Sequence, residues 1–229
     1  NMILVDTVYQ RVLALANKEQ RGYITPQEFN LLANQAQMEI FEQYFYDQKS
    51  EDRNLKNSTE FSNVDEMLDE KLSIFKNIQT LTVTGSTGIL PSNMYRLGSL
   101  FYASSLIEVE QVTEEELMYL QQSPLAKPSI YCPAFVRSGG DTVTLYPTPP
   151  TAINLNYIKT PVKVVWGYAV INDKALYNSG SSTNFELHGS DETELVYKIL
   201  SLAGITIAKP GLGTYAEQQI TAQKTQEKQ

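Results

Sequence analysis

Apolar side chains recur at helical spacing through Phe29, Leu32, Ala33, Ala36, Ile40 and Tyr44, and a second series, Leu31, Met38, Phe41 and Phe45, runs beside the first. Together they cover well over half of the circumference, whereas the surface helix of a small monomer needs only one apolar stripe. Thr25 is placed to cap this helix, Pro26 suits its first position, and Glu28 completes a capping box. With no Gly or Pro before Asp47, the pattern predicts a helix of about 22 residues, roughly 33 Å long. One stripe serves the intramolecular core. The other predicts a subunit contact through Leu31, Met38, Phe41 and Phe45. Asn34, Gln35, Glu39, Glu42 and Gln43, the polar remainder, suit a structural spine better than a reaction site.

Before the spine, Val5, Val8, Val12 and Leu15 predict a helix capped by Asp6 or Thr7 and ending near Gln20, with Arg21-Gly22 as its stop. The two helices then form an α-hairpin. Residues 48–54 and 56–59 are polar and predict a loop or a solvated connection, while Val64, Leu68, Leu72 and Phe75 predict a short third helix. From Ile78 the period changes to two, with Leu81 and Val83 on one face. Short β segments follow around Tyr95–Tyr102, Leu106–Val112, Ile130–Arg137, Thr142–Tyr146 and Ile153–Ile158, and Val162–Ile171 reads as a last strand or an extended segment. Thr113 to Glu116 is a second capping box, opening a helix that Ser123-Pro124 ends. Ser138-Gly139-Gly140-Asp141 is a hairpin turn, and residues 172–184 read as polar loop. Phe185 to Glu194 opens a closing helix, capped by Ser190 or Asp191, with Leu195, Ile199, Leu202 and Ile205 as its apolar face and Lys209-Pro210-Gly211 as its stop.

The predicted fold class is therefore α+β. The N-terminal α-hairpin and the C-terminal helix form a helical bundle (1–77 and 185–212), with an antiparallel β-sandwich or open barrel inserted at 78–184. Residues 213–229 form a tail ordered only by a partner.

Charge and composition narrow the function. The net charge of −8 argues against sequence-independent binding of nucleic acid or of anionic lipid. A single cysteine, Cys132, allows no internal disulfide, and no apolar run reaches the ~20 residues of a membrane span. Met2-Ile3-Leu4-Val5 meets Asp6 too soon for a signal peptide, which points to a cytosol-like compartment.

Catalytic material is sparse. His188 lies beside Ser190 and Asp191, but neighbours at a helix start do not converge as a triad does, so it is expected to serve the helix entry. Cys132, next to Pro133, reads as a small core residue. Glu114, Glu115 and Glu116 read as capping and dipole complement, not as metal ligands. The turn at Gly85–Gly88 lacks the Lys of a phosphate loop. No catalytic residue, metal or cofactor is expected. Fourteen tyrosines and many amides suit protein contacts.

Residues 9–30, YQRVLALANKEQRGYITPQEFN, resemble the opening of a family of tailed-bacteriophage virion proteins. Leu90-Pro91-Ser92-Asn93-Met94-Tyr95-Arg96-Leu97-Gly98, Leu145-Tyr146-Pro147-Thr148-Pro149 and the segment from Phe185 to Gly204 continue the likeness. The family is that of the head-to-tail adaptors (connector, or tail tubular, proteins) of short-tailed phages. The resemblance implies a homo-oligomeric ring, usually a dodecamer, docked between portal protein and tail proteins in the virion after assembly in the host cytoplasm. It also implies a DNA channel through which DNA passes without specific binding, and no membrane. Three other readings stay open: another virion ring or tail-completion protein, a monomeric β-sandwich binding module, and a small enzyme using carboxylates such as Glu39 and Glu42.

Overall fold

The computed structural model describes residues 2–18, 24–53, 67–172 and 174–206. The chain is mixed α and β and separates into two compact units, Phe75–Thr160 and the remainder.

In the first unit, strand β1 (Met2–Ile3) leads into helix α1 (Val5–Lys18), and the spine is helix α2 (Pro26–Arg53). The expected capping box is present: the Thr25 amide donates to Glu28 Oε2 at 3.0 Å and the Glu28 amide to Thr25 Oγ1 at 3.3 Å. Helix α2 runs on beyond Asp47 to Arg53, where a solvated connection was expected. Helix α1 takes no cap from Asp6 or Thr7. Its first amide, that of Val5, donates to Asn184 Oδ1 at 3.1 Å, an acceptor almost the whole chain away. A short helix α3 spans 67–73, with Leu68 and Leu72 buried.

The barrel unit comprises β2 (Lys76–Thr84), β3 (Thr87–Ile89), β4 (Met94–Tyr102), β5 (Glu108–Gln111), α4 (Glu114–Gln122), β6 (Ala134–Ser138), β7 (Thr142–Tyr146) and β8 (Ile153–Lys159). Its strands close in the order β2-β3-β7-β6-β5-β4-β8. A sandwich or open barrel was expected; the pairing of β2 with β8, from Lys76↔Ile158 to Leu81↔Ile153, closes it. That pairing joins segments far apart in the chain, Lys76–Leu81 with Ile153–Ile158, which local periodicity does not report. All neighbours are antiparallel except β5 and β6, which run parallel with α4 as their crossover.

Alternation sets the interior. Leu81, Leu100, Val143, Leu145, Ile153 and Leu155 point inward with Phe135 and Tyr157. On β6, Phe135 enters the barrel while Ala134 and Val136 face out beneath Leu117 of α4, so the strand is buried on both sides. Gly88 faces inward, where a Cβ would run into Leu81 Cδ2 and crowd Val143 Cγ2, so a larger residue requires the Leu81 side chain to shift. At the end of the barrel, the Tyr157 hydroxyl accepts from Asn77 Nδ2 and donates to Gln79 Oε1, each at 3.1 Å. Where the chain enters and leaves this unit, the Lys159 amide donates to the Phe75 carbonyl at 2.9 Å.

After the barrel the chain returns to the first unit. Residues 161–184 were expected in the β-rich insertion, yet they group with the helices. Val162–Ile171, expected as a last strand or an extended segment, is an extended strap up to Gly167 with one isolated bridge, Val165↔Thr183. A hairpin of β9 (Tyr168–Ile171) and β10 (Lys174–Tyr177) occupies part of the expected polar loop. Phe185–His188 does not open a helix. It forms β11, paired with β1, because Phe185 and Leu187 alternate as buried residues. A short turn of 3₁₀ helix then leads into α5 (Glu192–Thr206), which packs against α1 and α2. The expected stops at Arg21-Gly22 and Lys209-Pro210-Gly211, and the tail 213–229, lie outside the described residues.

Candidate assembly surface

Helix α2 presents three amide side chains at helical spacing, Asn30, Asn34 and Gln37, to the strap. Asn30 Oδ1 accepts the Trp166 amide at 2.7 Å and its Nδ2 donates to the Trp166 carbonyl at 3.3 Å. Asn34 does the same for Val164, with both bonds at 2.8 Å. Gln37 Nε2 donates to the Val162 carbonyl at 2.9 Å, and its Oε1 accepts the Glu186 amide at 3.2 Å. Alternate strap residues are thus held by side chains in place of a neighbouring strand. This satisfies backbone groups that would otherwise be buried without partners, since Val164 and Trp166 are both buried. Asn34 had been read only as part of the polar remainder of the spine. The signal that could have found the ladder is three amides at i, i+4 and i+7 along one side of the helix.

Trp166 anchors the strap. Its ring lies 4.5 Å from Tyr9 and 5.8 Å from Tyr168 and Tyr177, and its Nε1 donates to Asp6 Oδ1 at 2.9 Å. Asp6 is thereby drawn away from the capping role that its position suggested.

The start of α5 holds the most polar part of the interior. Asp191 is buried, and its Oδ1 pairs with Lys71 of α3 at 2.8 Å. The Tyr44 hydroxyl and Ser190 Oγ both donate to Asp191. Lys71 also lies over the Tyr44 ring, 5.8 Å from its centroid. Each charge has a partner, and the carboxylate accepts two further hydrogen bonds, which helps a buried ion pair to be tolerated. His188 Nδ1 accepts the Ser190 amide at 3.3 Å, so its ring serves the entry into α5.

Cys132, expected in the core, is exposed in a turn closed by mutual backbone hydrogen bonds between Ser129 and Cys132. It lies in the barrel unit and His188 in the other. Glu39 pairs with Lys198 at 3.2 Å and accepts from Gln35, whereas Glu42 is exposed. Among the described residues no three His, Cys, Asp or Glu side chains are grouped to hold a metal ion, and no helix is long and apolar enough to cross a membrane.

The four expected subunit-contact residues separate into two classes. Phe41 is fully buried and Phe45 nearly so, and their rings meet edge to face at 5.1 Å within the chain's own core. Burial by their own unit removes both from any outward surface. Leu31 is 74% exposed and Met38 half-buried. The outward face of α2 therefore carries Leu31, Gln35, Glu42 and Tyr46.

Other large apolar side chains are exposed in both units. Val170, Ile171 and Leu176 lie on the β9–β10 hairpin, and Met118, Tyr119, Leu125 and Tyr131 on and after α4. A scan against protein-family models and a search of curated proteins found no match to this chain.

Proposed function

We propose that this chain is a virion structural protein, the head-to-tail adaptor of a short-tailed bacteriophage, acting as a ring subunit between portal and tail. The observation that carries the reading is the sequence resemblance at residues 9–30, 90–98, 145–149 and 185–204. In this reading the helices form the bundle of the subunit, the β unit is its insertion, and the ring continues the DNA channel. The exposed apolar residues of α2, the β9–β10 hairpin and α4 support it, because a ring needs two different complementary faces on each subunit. The surplus of acidic over basic side chains supports a passage along which DNA slides without being held.

The reading is tested by imaging particles labelled with antibody against the chain. Label at the head–tail junction is expected, together with a ring in the purified portal complex. Label confined to the capsid shell or to tail fibres overturns it.

A further inference from the structure

Strand β2 is bonded to β8 from Lys76 to Leu81, but to β3 only from Thr82 to Thr84. The Lys159 amide donates to the Phe75 carbonyl, in line with the register Lys76↔Ile158, and this fixes which residues turn their main-chain groups to which side. Those of Asn77, Gln79 and Leu81 face β8. Those of Ile78, Thr80 and Thr82 face the side on which β3 lies.

Thr82 is met by Ile89, but Thr80 is met by nothing. The Leu90 amide is turned to the Asp141 carbonyl at 2.8 Å, and the residue next in line, Pro91, has no amide to give. The chain departs there, with the Met94 amide donating to the Pro91 carbonyl at 3.1 Å. A gap of about 230 Å³ separates Gln79–Thr82 from Ile89–Pro91. The amides and carbonyls of Ile78 and Thr80 therefore point outward at strand spacing, without a hydrogen-bond partner among the described residues. Both residues are exposed, Ile78 by 64%.

Open edges are ordinarily blunted by bulges, prolines or very short strands, because an unpaired ladder is a template for another chain. Strand β4, on the far side of β8, is blunted in this way: its register shifts between Met94 and Arg96 and again between Leu97 and Leu100. Strand β2 is not. Its ladder with β8 runs without a shift from Lys76↔Ile158 to Leu81↔Ile153, and the strand holds no proline. The edge is thus regular as well as exposed.

We propose that the β2 edge at Ile78 and Thr80 takes up an extended segment of another protein as an added β-strand. The occupant is an extended polypeptide because a small ligand meets one donor–acceptor pair, whereas two pairs at strand spacing are met together by another strand. Main-chain hydrogen bonds supply the affinity. The Ile78 side chain, on the outer face of the sheet, supplies a preference for an apolar or β-branched residue opposite it. The inference goes beyond the adaptor reading and does not depend on it.

The test pans the full chain against a displayed library of random peptides about six residues long, the reach of this edge. Selected peptides, made synthetically, are expected to slow hydrogen exchange at the Ile78 and Thr80 amides by about ten-fold or more. N-methylation of alternate peptide amides should cost about ten-fold in affinity in one frame and little in the other, since only alternate amides face the edge. Thr80→Pro removes an amide that no ladder within the chain uses, so it should weaken binding about ten-fold and leave the melting temperature unchanged. The two N-methyl frames decide the matter even where Thr80→Pro fails to fold. A library without binders, or binders that leave these two amides exchanging freely, overturns the proposal. Equal affinity of the two frames overturns it as well. Protection that rises with protein concentration in the absence of peptide assigns the edge to a second copy and removes the foreign strand.

Discussion

Asn34 holds Val164 as an adjacent strand would, donating to its carbonyl and accepting its amide, both at 2.8 Å. Val164 has no exposed surface, so water is a poor substitute for the lost side chain. Asn34→Ala is expected to destabilise the chain by about 3 kcal/mol, the cost of leaving two buried backbone groups unpaired. Urea denaturation checks this; a loss under about 0.5 kcal/mol would show that the strap is held by its side chains alone.

Leu31 and Phe41 should part company on substitution. Phe41→Ala opens a cavity in the core and is expected to cost about 3–5 kcal/mol. Leu31→Ser, at a site 74% exposed, should change stability by no more than about 0.5 kcal/mol. A large loss of stability for Leu31→Ser, measured on the same denaturant series, would refute the division of the second stripe.

The pair of Lys71 and Asp191 offers a charge test. Lys71→Met leaves a buried carboxylate without its cation and should cost about 3–5 kcal/mol. Adding Asp191→Asn removes that charge while keeping an acceptor for Tyr44, and should recover much of the loss. Equal stabilities for the single and double variants would mean that the ion pair contributes nothing beyond shape.

Acid should loosen both capped helices. Glu28 and Glu116 are held below the ordinary glutamate value of 4.5, chiefly by the backbone amides of Thr25 and Thr113 and then by their hydroxyls. The native state therefore binds fewer protons than the unfolded chain just below that value. The caps contribute stability above pH 4.5 that is lost as the pH falls through the lowered native value. Glu28→Gln and Glu116→Gln should flatten the acid limb of the stability profile; profiles identical to the parent would exclude this origin.

The adaptor reading also sets an expectation for DNA. With a net charge of −8, the purified chain should show no salt-sensitive binding to duplex in fluorescence anisotropy. Tight binding that weakens steeply with added salt would reveal a segregated cationic surface and count against a passive passage.

Local chemistry was readable in the sequence wherever the deciding residues are close together. Both capping boxes, the turn at Ser138–Asp141 and the inward set Ile153, Leu155 and Tyr157 depend on spacings of two to four residues. What escaped depends on partners far along the chain. The amides of α2 acquire a role only when residues 162–166 arrive, and the first amide of α1 finds its acceptor in Asn184. Barrel closure and the parallel pairing of β5 with β6 are equally non-local. A second apolar stripe reports that two sides are covered, and the covering elements here belong to the same chain.

The hydrogen bond from Lys159 to Phe75 gives the barrel a doorway one residue pair wide. A unit whose entrance and exit touch can be lifted out, lengthened or exchanged for another without stretching the chain that carries it. Variation among relatives should then arrive as whole-cassette replacement between Ile74 and Pro161, with the helical frame left as the fixed socket. Splicing Ile74 to Pro161 through a short Gly-Ser bridge should yield a shorter protein that still melts cooperatively.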